Sequence, residues 1–506
     1  MKKFVYKLVS IGIVGILLLA GCNNSSSPTK ESSKDGDSDN SSGTAEITWL
    51  NVLHTASPPT DTIINEIQKK TNTKLSFTWI PDASKEERLN TALASDNLAD
   101  IVTITILNNS SVRNALKKGM FWNVDDYLDD YPNLKAIPKD IRESASIDGK
   151  LYGIPFQKNI ARNGVVIRKD WLDKLGLDIP ETTDELMEVA KAFTENDPDG
   201  NGKKDTTGFM DRSDLVYGAF KTLSSYFGTP NYWTIDKKGN FIPEFETDGY
   251  IETMKYMKKL YDNGWINQDF AVTAKTDQQQ NFAQGKAGIY VGALFDSKNL
   301  KNMATGVQDN MELALVNKIT SPLNSEPAIW SDGNGIGGLL AFPKSEVKDE
   351  KELKRILKFI NDLLDPEIYK LMTYGIEGTH YQITEDGAYK IINQDLWQQE
   401  VQPFASSRPK ESGYKLKDPD PLKTEADKLI EENAKFAVLN PAFPLDSETF
   451  NTQGSELQKI INDATYQYIL GEIDLNGFKD AVKNWNNSGG EQIKKEYKES
   501  YKALNK

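Results

Sequence analysis

The densest set of ligand-bearing side chains in the chain is the run Asn196-Asp197-Pro198-Asp199-Gly200-Asn201-Gly202-Lys203-Lys204-Asp205. Counting from Asp197, side-chain oxygens fall at loop positions 1, 3, 5 and 9 (Asp197, Asp199, Asn201, Asp205), with glycine at 6 and Lys203 at 7 to offer its backbone carbonyl. This is the spacing with which an EF-hand-type loop wraps Ca²⁺. The twelfth position is Gly208, so the usual bidentate glutamate is missing. The run reads either as a calcium loop that takes a further ligand from elsewhere or from water, or as a polar turn rich in Asp and Asn. In both readings its role is structural, because it follows a core helix.

Other chemistry is excluded by count or by context. One cysteine, Cys22, and two histidines, His54 and His380, cannot build a disulfide framework or a Cys/His zinc site. Gly333-Asn334-Gly335-Ile336-Gly337-Gly338 matches GxGxxG by letter. A dinucleotide loop must open a helix, whereas this one runs into Leu339 to Phe342 and then Pro343, so it reads as a flexible, close-packed connection. There is no G-x-S-x-G elbow, P-loop or H-E-x-x-H. A glycoside hydrolase needs only two suitably separated carboxylates and leaves no short motif, so 74 acidic residues keep that class open. A formal charge of −14 argues against nucleic acid as a partner.

Cys22 carries chemistry of another kind. Lys2, Lys3 and Lys7 precede the apolar run Leu8 to Ala20, which is too short to span a ~30 Å hydrocarbon core and has the layout of a secretory signal. It ends in Leu19-Ala20-Gly21-Cys22, which resembles the bacterial lipobox. On that reading residues 1–21 are a lipoprotein signal peptide, and Cys22 receives a diacylglyceryl group and further acyl chains such as palmitate. Several chains at ~0.8 kcal/mol per buried methylene anchor a protein firmly to a membrane. Cleavage removes three lysines and takes the formal charge from −14 to −17. Residues 22–44 hold eight serines after Cys22 and no large apolar side chain, so they read as a flexible linker reaching roughly 25 Å. The body is therefore expected outside the cell membrane, tethered to its extracytoplasmic face.

The elements that would position these groups alternate. Glu46 to Leu53, Lys74 to Ile80 and Asp100 to Leu107 read as strands, the second by alternation of Leu75, Phe77 and Trp79. Thr60 to Thr71 and Ser84 to Ser95 read as helices between them, which predicts a parallel βαβ sheet. Ligands in such sheets sit beyond the carboxyl ends of strands, which makes His54, Pro81 and Asn108 mouth positions. Further helices are predicted over Asp184 to Phe193, capped by Thr182 with Glu185, and over Thr247 to Tyr261 and Glu350 to Leu364. Three more follow, over Leu457 to Leu470, Asp474 to Trp485 and Glu491 to Leu504. At 506 residues with 38% hydrophobic content, two or three domains with real cores are expected.

Leu98-Ala99-Asp100-Ile101-Val102, Asp148-Gly149-Lys150-Leu151-Tyr152-Gly153-Ile154-Pro155 and Arg168 through Leu177 resemble the family 1 extracellular solute-binding proteins of ABC importers. Gln284 through Ile289, Tyr374 through Tyr381 and Leu470-Gly471-Glu472-Ile473 resemble its LipO-type branch of sugar-binding lipoproteins. The resemblance implies an α/β, two-lobed periplasmic-binding-protein-like (type II) fold with a hinge and an interlobe cleft. Residues 45–158 plus 332–375 would form lobe 1, and 159–331 plus 376–506 lobe 2. Hinge crossings are expected near Gln157 to Asn163, near Trp330 to Gly335 and after Tyr374.

The same resemblance implies a monomeric binding protein, not an enzyme, that captures a complex carbohydrate by lobe closure and delivers it to permease subunits. A tethered glycoside hydrolase or a sugar sensor are the alternatives. Sugars stack on aromatic rings and hydrogen-bond planar polar groups. Trp233, Tyr290, Trp330, Tyr374 and Tyr381 are therefore candidate platforms, with Gln157, Arg162, Asp332, Asn334, Glu377 and His380 as polar partners beside His54 and Asn108. Arg162, Arg212 and Arg408 raise the possibility of a uronate, since a guanidinium matches a carboxylate.

Overall fold

A computed structural model describes residues 45–55, 57–107, 109–408 and 416–505. The expected signal peptide, Cys22, the linker and Asn108 lie outside the described residues. Among the described residues no helix is long and apolar enough to cross a membrane.

The first sheet has five strands in the spatial order Thr73–Pro81, Ala45–Leu53, Ile101–Ile104, Ile336–Ala341 and Gly153–Gln157. The first three are parallel, as the helices Asp61–Thr71 and Lys85–Ser95 between them require, and Ile336–Ala341 runs antiparallel to both its neighbours. The predicted third strand stops at Ile104, so Thr105 to Leu107 leave the sheet early. The GxGxxG segment opens no helix: after a tight turn at Gly333–Gly335 it becomes the strand Ile336–Ala341. Gly338 has φ +149, and a Cβ there would collide with the Ile104 carbonyl, so only glycine permits this approach.

The second sheet has four strands in the order Leu313–Val316, Asn163–Arg168, Ala287–Ala293 and Thr207–Phe209. The helix Thr183–Glu195 covers it with Leu186, Ala190 and Phe193 fully buried. The predicted capping box is made: Thr182 Oγ1 accepts from Glu185 N–H at 3.2 Å, and Glu185 Oε2 accepts from Thr182 N–H at 3.1 Å. Each sheet anchors its own apolar core. The C-terminal helices Glu448–Ile469, Leu475–Trp485 and Glu491–Leu504 bury Leu457, Ile461, Phe478, Trp485 and Tyr497 in the second.

One predicted assignment is corrected. Residues 376–407, expected in the second lobe, stay with the first: Val401 and Phe404 enter its core, and Phe404 lies edge-on to Phe77 and Trp79 at 6.0 and 6.1 Å. The physical reason is the edge strand Thr73–Pro81, whose stacked Phe77 and Trp79 need an apolar cover. The chain reaches the second sheet's side only with the helix Pro421–Asn433, where Ala426 and Ile430 pack with Val166 and Tyr290.

Candidate functional site

The two sheets are joined through Lys158 to Arg162 and through Ser331 to Gly335, and these segments hydrogen-bond each other: Lys158 N–H to the Gly335 carbonyl at 2.9 Å and Asp332 N–H to the Ile160 carbonyl at 3.0 Å. Directly above this paired hinge, Thr105 to Leu107 face Tyr217, Asn231, Tyr232 and Trp330 across a cavity of about 160 Å³. Lys158, Ser331, Asp332 and Asn440 complete its polar wall. A second cavity of about 600 Å³ shares Tyr232, Asn440 and Phe443 with the first and runs along the helix Glu448–Ile469 past Ser455, Gln458, Asn462 and Tyr466. A groove of about 840 Å³ between Leu177, Met187, Tyr256 and Leu323 shares no residue with either and lies wholly on the second lobe.

The small cavity is organised around Asp332, whose side chain is 8% exposed. Lys158 Nζ lies 2.7 Å from Oδ1 and Arg162 Nη2 lies 3.0 Å from Oδ2. The Tyr217 hydroxyl donates to Oδ1 at 3.3 Å. Burial pushes the Lys158 ammonium down, against the pull of Asp332. Burial first, and the Asp332 charge second, push the Tyr217 hydroxyl up to about 12. Tyr217 stands edge-on to Trp330 at 5.7 Å, which makes an aromatic corner beside the ionic cluster.

Tyr232 holds φ +59, an uncommon left-handed conformation for an aromatic residue. It is held there by its N–H donating to Glu244 Oε2 at 2.9 Å; Glu244 is ion-paired to buried Lys221, whose ammonium lies 3.7 Å from the Tyr232 ring centre. Several buried polar atoms in and beside this wall have no hydrogen-bond partner within the protein: Asn231 Oδ1, Ser331 Oγ, Gln157 Nε2, Arg162 Nε and Asp332 Oδ2, the last held by Arg162 through charge alone. An orphaned buried polar atom costs about 1 to 3 kcal/mol. Hydroxyl-rich ligands supply the missing donors and acceptors.

The predicted residues divide sharply. Trp330 and Asp332 line the small cavity, Arg162 ion-pairs with Asp332, and Trp233 borders the larger cavity while packing on Trp485 and Tyr497. The other described candidates belong to neither wall. Tyr290 is buried in the second lobe with its hydroxyl on Asp296 at 2.8 Å, because its strand places it against Phe282. His380 is sealed off: Nδ1 accepts from Ile376 N–H at 3.0 Å and Nε2 meets Glu400 Oε2 at 3.0 Å. Tyr374 and Tyr381 pack together with Tyr389 in the same cluster, and Glu377 is on the surface beside it. His54 bonds Ser406 and Asp82, and Asn334 clamps the backbone of Asn440 at 2.9 and 3.0 Å. Tyr217, Asn231, Tyr232, Ser331, Lys158 and Asn440 were not predicted. Three of them adjoin predicted residues, which is the only signal the sequence holds.

In the loop after Thr183–Glu195, Asp199 Oδ2 and Asp205 Oδ1 both converge on the Asn201 amide nitrogen, at 2.7 and 3.1 Å. Asp197 is held by backbone N–H groups of Gly200, Asn201 and Gly202. The amide donor thus occupies the focus where a cation would be held. After Asp205 the Thr206 hydroxyl donates to the Phe193 carbonyl at 2.8 Å, tying the end of the loop to the helix. Among the described residues no group of three or more His, Cys, Asp or Glu side chains is arranged to hold a metal ion.

Two α/β lobes, two paired hinge segments and a polar, aromatic cavity above them define a solute-binding protein of the two-lobed, type II class. Residues 55–370 match the family model described as bacterial extracellular solute-binding protein, and the chain belongs to that family. It is 48% identical over 487 residues to the polygalacturonan/rhamnogalacturonan-binding protein YtcQ of Bacillus subtilis (strain 168), covering 96% of each chain. It is 33% identical over 500 residues to lipoprotein LipO of the same organism, again covering 96% of each. The structure of the S. pneumoniae ABC-transporter substrate-binding protein FusA in complex with kestose superposes with a TM-score of 0.68 at 20% identity, over 91% of this chain and 100% of that one. An EF-hand mutant of FusA superposes with a TM-score of 0.66, also at 20% identity, over 91% and 100%.

Proposed function

We propose that this chain captures an oligosaccharide between its lobes and hands it, chemically unaltered, to the permease of an ABC importer, while Cys22 tethers it by lipid to the outer face of the membrane. The observation that carries the ligand class is the cavity above the hinge, where aromatic rings Tyr217, Tyr232 and Trp330 stand beside buried polar atoms with no internal partner. That pairing of apolar face and unsatisfied polar edge suits a pyranose. Whole-length similarity to YtcQ favours a pectic fragment as the solute. Binding without chemistry is favoured by the family and by YtcQ, which are binding proteins, and by the ion pairs that hold the two buried cavity carboxylates, Asp332 with Lys158 and Arg162 and Glu244 with Lys221. Closure follows from sugar contacts that exist only when both lobes touch it.

Calorimetric titration with a panel of plant-wall oligosaccharides, followed by analysis of the recovered sugar, tests the reading. Saturable binding with intact sugar is expected; new reducing ends would replace transport by hydrolysis.

We further propose that Asp197, Asp199, Asn201, Asp205 and the Lys203 carbonyl hold a structural Ca²⁺, with the Asn201 amide turned to present its oxygen. The ion would neutralise the converging carboxylates and pin the loop to its helix. Unfolding scans with calcium and with chelator should differ by about 2.7 kcal/mol at a hundredfold excess over the dissociation constant. Coincident scans would remove the metal.

A further inference from the structure

We infer that the oligosaccharide is divided between the two neighbouring cavities: its terminal ring enters the small one above the hinge, and the rings that follow lie in the larger one along the helix Glu448–Ile469. This deepens the oligosaccharide-binding reading and rests on it. Size separates the two cavities. A drug-sized ligand, with the mass of about two or three pyranose rings, occupies a pocket of roughly 300 to 1,000 Å³. On that scale the small cavity, at about 160 Å³, admits one ring, and its neighbour, at about 600 Å³, admits about two or three more. The two meet at Tyr232, Asn440 and Phe443, which line both. A chain whose end sits beside Trp330 and Asp332 therefore has a place for its next rings directly alongside.

The walls of the larger cavity suit a sugar chain. Ser455, Gln458, Asn462 and Tyr466 recur every three or four residues along the helix, which sets a polar group about every 4.5 to 6 Å along one edge. Successive rings of an oligosaccharide follow one another on the same scale. The other face of the helix is buried through Ile461, Ala464 and Ile469, so the row is fixed to a rigid element. Gln458 Nε2 donates to Asn462 Oδ1 at 2.9 Å, which leaves Gln458 a carbonyl oxygen and Asn462 an amide nitrogen to offer to hydroxyls. The half-buried Leu215, Val216 and Phe450 line the same cavity and give ring faces an apolar surface. Its charged side chains are engaged already: Lys221 with Glu244, Lys459 with Asp463, and Arg113 with the carbonyls of Phe443 and Leu445. Amides, hydroxyls and apolar groups are left to make the contacts. The row and the apolar surface both sit on the second lobe, so the body of the ligand can dock before the lobes close. The small cavity instead takes walls from both lobes, Thr105 to Leu107 from the first and Tyr217 and Trp330 from the second, so the terminal ring is what stabilises the closed state.

The test is a length series, titrated calorimetrically into the full chain: α-1,4-oligogalacturonates and rhamnogalacturonan backbone oligosaccharides, each of about two, four, six and eight rings, lengths that bracket the combined cavities. In the unmodified protein affinity is expected to climb at least about tenfold between two rings and four and then to stay within about threefold up to eight. The double variant Gln458→Ala with Asn462→Ala lies outside the core, where alanine suits a helix. It should weaken ligands of four rings or more by about 5- to 100-fold, the span for two lost hydrogen bonds, and move two-ring ligands less than about twofold. Tyr217→Ala, in the small cavity, should weaken every length alike. Affinity already level at two rings, or still climbing through eight, would overturn the division of the ligand. So would equal losses at all lengths in the double variant, and each of these results leaves the oligosaccharide-binding function standing. If neither series binds the folded protein, the pectic reading itself falls and takes the division with it.

Discussion

Two clusters in this protein look alike in sequence and differ in one physical respect. Both the segment Tyr374 to Tyr381 with its partner Glu400 and the segment Tyr217 to Trp233 with Trp330 to Asp332 bring aromatic rings beside charged groups. In the first, His380 uses both ring nitrogens and Glu400 receives Thr60 and Thr62 as well, so the polar atoms close on one another. In the second, Asn231 Oδ1 and Ser331 Oγ are buried with no partner, and two cations share one acid. A closed network stabilises; an open one waits for a ligand.

The largest expected effect is on the closed side. Tyr381 is 1% exposed, so Tyr381→Ala leaves a cavity and should cost about 3 to 5 kcal/mol of stability in a denaturant titration, with sugar affinity of the folded protein unchanged. The open side should behave oppositely. Tyr217 is 40% exposed, and Tyr217→Ala should lower sugar affinity by about 10- to 100-fold while shifting stability by less than about 1 kcal/mol. If Tyr381→Ala weakens binding as much as Tyr217→Ala does, the two clusters are one site and the comparison collapses.

The sequence carried the elements well and their partners poorly, for a reason these residues illustrate. Periodicity and caps are local, so the helix Thr183–Glu195 and its box at Thr182 and Glu185 were legible. Which lobe Val401 and Phe404 would join was not, because that depends on Phe77 and Trp79 more than 300 residues earlier. The same holds for the site. Trp330 and Asp332 stood out as a Trp and an acid next to a glycine-rich turn. Tyr232 did not, since its role comes from a left-handed backbone held by Glu244 and Lys221, which no spacing rule encodes. His380 and Tyr290 misled because an aromatic or a histidine in a segment that resembles a family motif carries no mark of whether its polar atom is already satisfied.

The smallest expected effect is on pH dependence, and it tests closure of the His380 network directly. Burial pushes the Glu400 carboxyl up, but hydrogen bonds from Thr60, His380 and Thr62 outweigh it and hold the group below its ordinary value. A carboxyl lowered in the folded state contributes stability that is complete above the unfolded value of about 4.3 and is lost as pH falls through the folded one. Asp211 runs the other way: burial raises it to about 6, so its contribution grows as pH falls through that range. The whole-protein profile mixes the two, whereas the difference between the parent and Glu400→Gln isolates one. That difference should be flat above about pH 5, at about 1 to 3 kcal/mol in favour of the parent, and should shrink below about pH 4. Asp386 provides the control for salt. Lys417 and Thr384 push it down to about 2, but it is exposed, so added salt should erase its contribution and leave that of Glu400, which is 5% exposed, in place. A difference that stays constant through pH 4, or that salt removes, would show the network around His380 to be as open as the cleft.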